Sequence, residues 1–133
     1  GQWDVVVRDV FNGGSVPASC RSREFLAACL DALAPGGVLL VNTSSTPRGQ
    51  AGAEIEALME ALPGDANGLV IISDPAAMRG RRQGNLVLAA RREPFTAGEL
   101  EKIERAVRRL PLPVRTWSPG DAAVPRPEGG SGR

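Results

Sequence analysis

The chain contains no histidine. Serine–histidine–aspartate and cysteine–histidine nucleophile activation are therefore excluded, as are histidine-ligated metal sites, and no metal is expected. Chemistry in this sequence must rest on carboxylates, backbone groups or a bound cofactor. Asp9 is the first residue to consider. It closes the apolar run Val5-Val6-Val7 and precedes the loop Asn12-Gly13-Gly14-Ser15-Val16-Pro17. An aspartate in that place is either a turn-former or a carboxylate presented at the end of a strand. Asn42 closes a second apolar run, Val38 to Val41, and reads as a turn-capping amide or a pocket contact on the same sheet edge as Asp9. Ser44, Ser45 and Thr46 read as a surface loop, and Arg79, Arg81 and Arg82 as a solvated turn. Cys20 and Cys29 fit neither a disulfide framework nor a metal site.

The elements that would hold these residues follow from periodicity. Asp4 to Val10 is predicted as a strand, and its continuous β-branched run suits a strand covered on both faces, as in a parallel sheet. Ser22 to Leu33 is predicted as a helix with Ser22 as its cap and Phe25, Leu26, Cys29, Leu30 and Leu33 on one stripe, ended by Pro35-Gly36-Gly37. Val38 to Val41 is a second buried strand. Ala53 to Leu62 is a second helix with Ile55, Leu58, Met59 and Leu62 inward. Leu69 to Ile72 and Asn85 to Ala90 are strands joined by a loop too short for a parallel crossover, so this pair is expected to be antiparallel. Thr96 and Glu99 form a capping box opening a helix to Leu110. The order β-α-β-α-β-β-α predicts an α/β domain over residues 1–117, with three parallel strands and one antiparallel, followed by a disordered tail over 118–133.

Bulk properties set the limits. The 133 residues suit one domain, and 42% hydrophobic content is enough for a core. A net charge of +1 implies no nucleic-acid partner. No apolar run reaches the roughly 18–20 residues of a membrane span and no signal peptide is visible, so a cytoplasmic setting is expected. Fifteen of the sixteen basic residues are Arg, Lys102 being the exception, which reads as codon usage rather than as phosphate binding. The chain begins at Gly1, so upstream sequence is expected.

Three local sequences carry a resemblance. Trp3-Asp4-Val5-Val6-Val7-Arg8-Asp9 resembles the "Y-D-[VI]-[IV]-x-x-D" strand of the polyamine aminopropyltransferases, the spermidine synthase family. Ser15-Val16-Pro17-Ala18 followed by Ser22-Arg23-Glu24-Phe25 resembles that family's passage into the next helix. Leu33-Ala34-Pro35-Gly36-Gly37-Val38-Leu39 resembles its "L-x-P-G-G-[VI]-[LF]" turn. The subgroup most similar is the bacterial spermidine-synthase-like proteins. The resemblance implies the C-terminal half of a class I methyltransferase-like Rossmann fold, its sheet mostly parallel with one antiparallel strand. It implies aminopropyl transfer from decarboxylated S-adenosylmethionine to a polyamine, with Asp9 as the catalytic base. By the same resemblance Val10 and Phe11 would border the cofactor, and Asn12, Ser15 and Asn42 the substrate.

Two departures from the family pattern stand out. The family's second acid, a few residues after the first, is replaced here by Asn12 or Gly13, and the glycine-rich cofactor loop lies upstream of this segment. A missing N-terminal half, a second copy of the chain or another polypeptide is therefore expected against the Val5–Val7 edge. Two further readings stay open: a non-catalytic association module, and an S-adenosylmethionine-dependent methyltransferase.

Overall fold

A computed structural model describes residues 1–9, 17–45, 49–64, 67–82 and 84–123. The first strand, β1 (Trp3–Arg8), pairs in parallel with β2 (Leu33–Ser45), Val5 opposite Val38 and Arg8 opposite Val41. Between them the chain makes a 3-10 turn at Ala18–Cys20 and helix α1 (Arg23–Asp31). Ser22 caps α1 as its sequence suggests, its Oγ accepting from the Phe25 N–H at 3.1 Å. Helix α2 (Gln50–Ala61) leads to β3 (Leu69–Ser73), and the short α3 (Pro75–Met78) is capped by Asp74. Then come β4 (Gly84–Ala90), α4 (Ala97–Arg108), β5 (Arg115–Trp117) and α5 (Pro119–Ala123).

The strands lie in the order β1-β2-β4-β3-β5. β4 runs antiparallel to both β2 and β3, and β5 antiparallel to β3. The expected antiparallel relation of β3 and β4 holds, but the expectation of a mostly parallel sheet does not. β1, β2 and β3 point one way and β4 and β5 the other, and β1–β2 is the parallel pair among the described residues. The cause is placement. β4 inserts between β2 and β3, so two strands that share a direction never touch. The fifth strand arises because Arg115 to Trp117 pairs along β3 and the Trp117 indole N–H donates to the Ser73 carbonyl at 3.0 Å. Residues 118–123, expected as tail, include α5, whose start is fixed by Asp121 accepting from the Ser118 N–H at 2.8 Å. Residues 124–133 lie outside the described residues.

Strand alternation sorts the core. Leu39 and Val41 of β2, Leu86, Leu88 and Ala90 of β4, and Leu69 and Ile71 of β3 are buried on one face with Leu26 and Leu30 of α1 and Ala51, Ile55 and Leu58 of α2. Met59, expected inward, is exposed; the α2 stripe runs through Ala51, Glu54, Ile55 and Leu58 instead. On the other face β1 is bare: Trp3, Val5 and Val7 are 57%, 56% and 61% exposed. β1 is also the outer strand of the described sheet. In α4 the capping box of Thr96 and Glu99 forms as its spacing suggests, but Leu100 and Leu110 stay exposed and Val107 alone of the stripe is fully buried.

β2 is longer than the four residues expected. The Pro35-Gly36-Gly37 stretch, expected as the stop of α1, lies inside the strand, and α1 ends at Asp31. Both glycines are required there. Gly36 has φ of 78°, in the left-handed region that side chains disfavour. A Cβ on Gly37 would meet the Trp3 carbonyl oxygen at 2.8 Å, so its absence lets β1 close on β2.

Candidate active site

Parallel β1 and β2 end on the same edge of the sheet, and β4, running against them, begins there. The topology therefore gathers Asp9, Asn42 and Asn85. The Asn42 side-chain amide donates to Asp9 Oδ1 at 3.1 Å, and its carbonyl oxygen accepts from Asn85 Nδ2 at 3.1 Å. All three sit on the open face, because Arg8, Val41 and Leu86, their neighbours in sequence, point toward the helices. Asp9 and Asn85 are exposed and Asn42 is half-buried. The edge thus presents one carboxylate braced by an amide chain, an arrangement that attracts a cationic amine, accepts hydrogen bonds from it and can take a proton.

Beneath this edge lies a buried polar cluster. Arg8 and Glu54 form an ion pair, with side chains 1% and 0% exposed. Arg8 also donates to the Asn42 carbonyl at 2.7 Å and the Cys20 carbonyl at 3.1 Å. Glu54 Oε2 accepts from Thr43 Oγ1 at 3.0 Å and Gln50 Nε2 at 3.1 Å. The Cys29 thiol is pushed above its ordinary value by burial, an effect opposed by the nearby Arg8 charge. Removing one member of a buried pair strands the other as an uncompensated charge.

Of the residues singled out from sequence, Asp9 and Asn42 are brought together. Val10, Phe11, Asn12 and Ser15 lie outside the described residues, as does Thr46. Asn85 was missed, because its role depends on β4 entering the sheet beside β2. Arg8 and Glu54 were missed too. The available signal was a glutamate within the apolar α2 stripe and an arginine on the inward phase of β1, two charges on opposing buried surfaces.

A cleft of about 510 Å³ opens elsewhere, between α4 and the β3–β5 side, lined among others by Val70, Phe95, Leu100, Glu104 and Trp117. It shares no residue with the Asp9 edge. Among the described residues no cluster of His, Cys, Asp and Glu could hold a metal ion, and no helix is long and apolar enough to cross a membrane.

No protein-family model and no curated protein matches the chain. A solved structure, that of a probable spermidine synthase from Corynebacterium glutamicum, is similar to it over 90% of its residues, with 29% identity and a TM-score of 0.73. The chain spans 43% of the length of that protein. It has a spermidine synthase-like α/β fold, built on a mixed five-stranded sheet.

Proposed function

We propose that the chain supplies the amine-activating side of an aminopropyltransferase active site, within a Rossmann-like, class I methyltransferase-type fold. The observation that carries this reading is the Asp9 carboxylate, exposed at the carboxyl end of β1 and braced by the Asn42 amide. In this reading Asp9 holds the cationic acceptor, withdraws the proton that the attacking nitrogen must lose, and lies close to the donor's positive charge without repelling it. Asn42 fixes the carboxylate, and Asn85 fixes Asn42.

Decarboxylated S-adenosylmethionine, when bound, supplies an electrophilic carbon and a neutral thioether leaving group. The described residues fit the cationic end of such a donor, through Asp9. Among them, the other acid at this end of the sheet, Asp74 after β3, is engaged in capping α3 and in an ion pair with Arg82. The nucleoside end falls to residues beyond those described, and the outer edge and bare face of β1 are where another polypeptide segment completes the site.

The test is aminopropyl transfer. A chimera in which this chain replaces the matched part of the C. glutamicum protein is given decarboxylated S-adenosylmethionine and putrescine. Spermidine formation is expected, and Asp9→Asn should lower it by roughly 10²- to 10⁴-fold, the range of a lost general base. A folded chimera whose transfer ignores that substitution contradicts the reading. Methyl transfer from S-adenosylmethionine in its place favours the methyltransferase alternative. The chain alone is expected to show no calorimetric binding of S-adenosyl ligands.

A further inference from the structure

We infer that Arg8 and Glu54 are positioning residues for the amine site: their ion pair sets the carboxyl ends of β1 and β2 against one another and thereby fixes the Asp9–Asn42 contact. The inference rests on the reading of that edge as an amine site. Arg8 directly precedes Asp9, so the same stretch of backbone that turns one guanidinium inward turns one carboxylate outward. That guanidinium reaches three other segments. It donates to the Asn42 carbonyl of β2, to the Cys20 carbonyl just ahead of α1, and to Glu54 of α2. Asn42 is thus held through its backbone by Arg8 while its side chain donates to Asp9 and accepts from Asn85. Glu54 secures the adjacent residue as well, accepting from Thr43 Oγ1, and it takes a further bond from Gln50 one turn back along α2.

A purely stabilising role fits the surroundings less well. Both side chains lie among apolar neighbours, Glu54 between Ala51, Ile55 and Leu58 on α2 and Arg8 on the inward side of β1 with Val6. Packed apolar residues of similar volume commonly stabilise such places as well as or better than an ion pair, because both charges must be desolvated. Arg8 Nε adds to that cost, being buried with no hydrogen-bond partner among the described residues. What the charged pair provides and an apolar pair cannot is directional attachment of three chain segments to the residue next to Asp9.

The test uses the full chain and the double variant Arg8→Met/Glu54→Leu, which removes both charges together. It is expected to keep a cooperative melt near that of the parent. It should nevertheless lose the distinct, slowly exchanging Asn42 side-chain amide signal in nitrogen-15 spectra. Putrescine affinity, read by titration, should weaken about tenfold or more, as when a supporting partner behind a ligand contact is removed. Glu54→Gln, which keeps shape and some hydrogen bonding, should give an intermediate Asn42 signal.

An unchanged Asn42 signal and putrescine affinity in a folded double variant would overturn the inference. Loss of cooperative folding would also overturn it, since the pair would then serve the fold as a whole. Asp9→Asn separates the two claims. If it leaves putrescine binding untouched, or the parent chain binds no putrescine, the amine reading fails, while the Asn42 signal of the double variant still decides the role of the pair.

Discussion

At the scale of single residues, two carboxylates away from Asp9 are held below their ordinary range by hydrogen bonds. Glu99 accepts from Arg91 and from the Thr96 backbone, which hold its carboxyl at about 2 against an ordinary value of 4.5. Glu93 is lowered too, chiefly by the Gly36 N–H that donates to it at 3.1 Å. Groups that titrate lower when folded stabilise the fold fully above their unfolded value and lose that contribution as pH falls. Melting temperature should therefore drop as pH is taken from about 4.5 toward 2, and Glu99→Gln should flatten that slope while lowering the melting temperature at pH 7. Parallel curves for the two proteins would contradict this. Cys29, raised by burial, should alkylate with iodoacetamide at pH 8 more slowly than free cysteine.

Asp9 and Asn42 were legible in the sequence because each closes an apolar run, and runs in one direction end together. Asn85 and the Arg8–Glu54 pair were not, because their partners lie 43 and 46 residues away and only the sheet order brings them near.

At the scale of elements, the β1–β2 pairing depends on the glycine turn and on the cluster beneath the site. Gly37→Ala should cost about 1–3 kcal/mol, the usual penalty for forcing atoms into a filled space, because the new Cβ would press on the Trp3 carbonyl oxygen. Glu54→Ala should cost about 3–5 kcal/mol by leaving Arg8 buried and unpaired. Chemical denaturation reads both; values near zero would mean that the strand ends relax freely. By contrast Thr96→Ala should cost only about 1 kcal/mol, as for a lost N-cap. The existence and kind of most elements were readable from period and caps. The extent of β2 was not, since Pro35-Gly36-Gly37 has the composition of a helix stop, and its place inside the strand, at an irregularity in the register, depends on the long-range approach of β1. The order of the sheet was also hidden, because insertion of β4 between β2 and β3 is a long-range choice that no local pattern encodes.

At the scale of the whole molecule, β1 is the element that bears on association. It carries an outer strand edge together with exposed Trp3, Val5 and Val7 on its bare face, a combination that invites strand addition by another polypeptide. Size-exclusion chromatography with light scattering should show the chain self-associating as concentration rises, and Val5→Lys/Val7→Lys should return it to monomer. A parent chain that stays monomeric at high concentration would contradict this.

The Asp9–Asn42–Asn85 edge and the Trp117 cleft share no residue, and one measurement tells them apart through Asp9 and Asn42 on one side and Phe95 and Glu104 on the other: nuclear magnetic resonance mapping of a putrescine titration into the isotope-labelled chain. Shifts centred on Asp9, Asn42 and Asn85, and abolished by Asp9→Asn, are the expected result. Shifts confined to Glu104, Phe95 and Trp117, or none at all, would contradict an amine site at the end of β1.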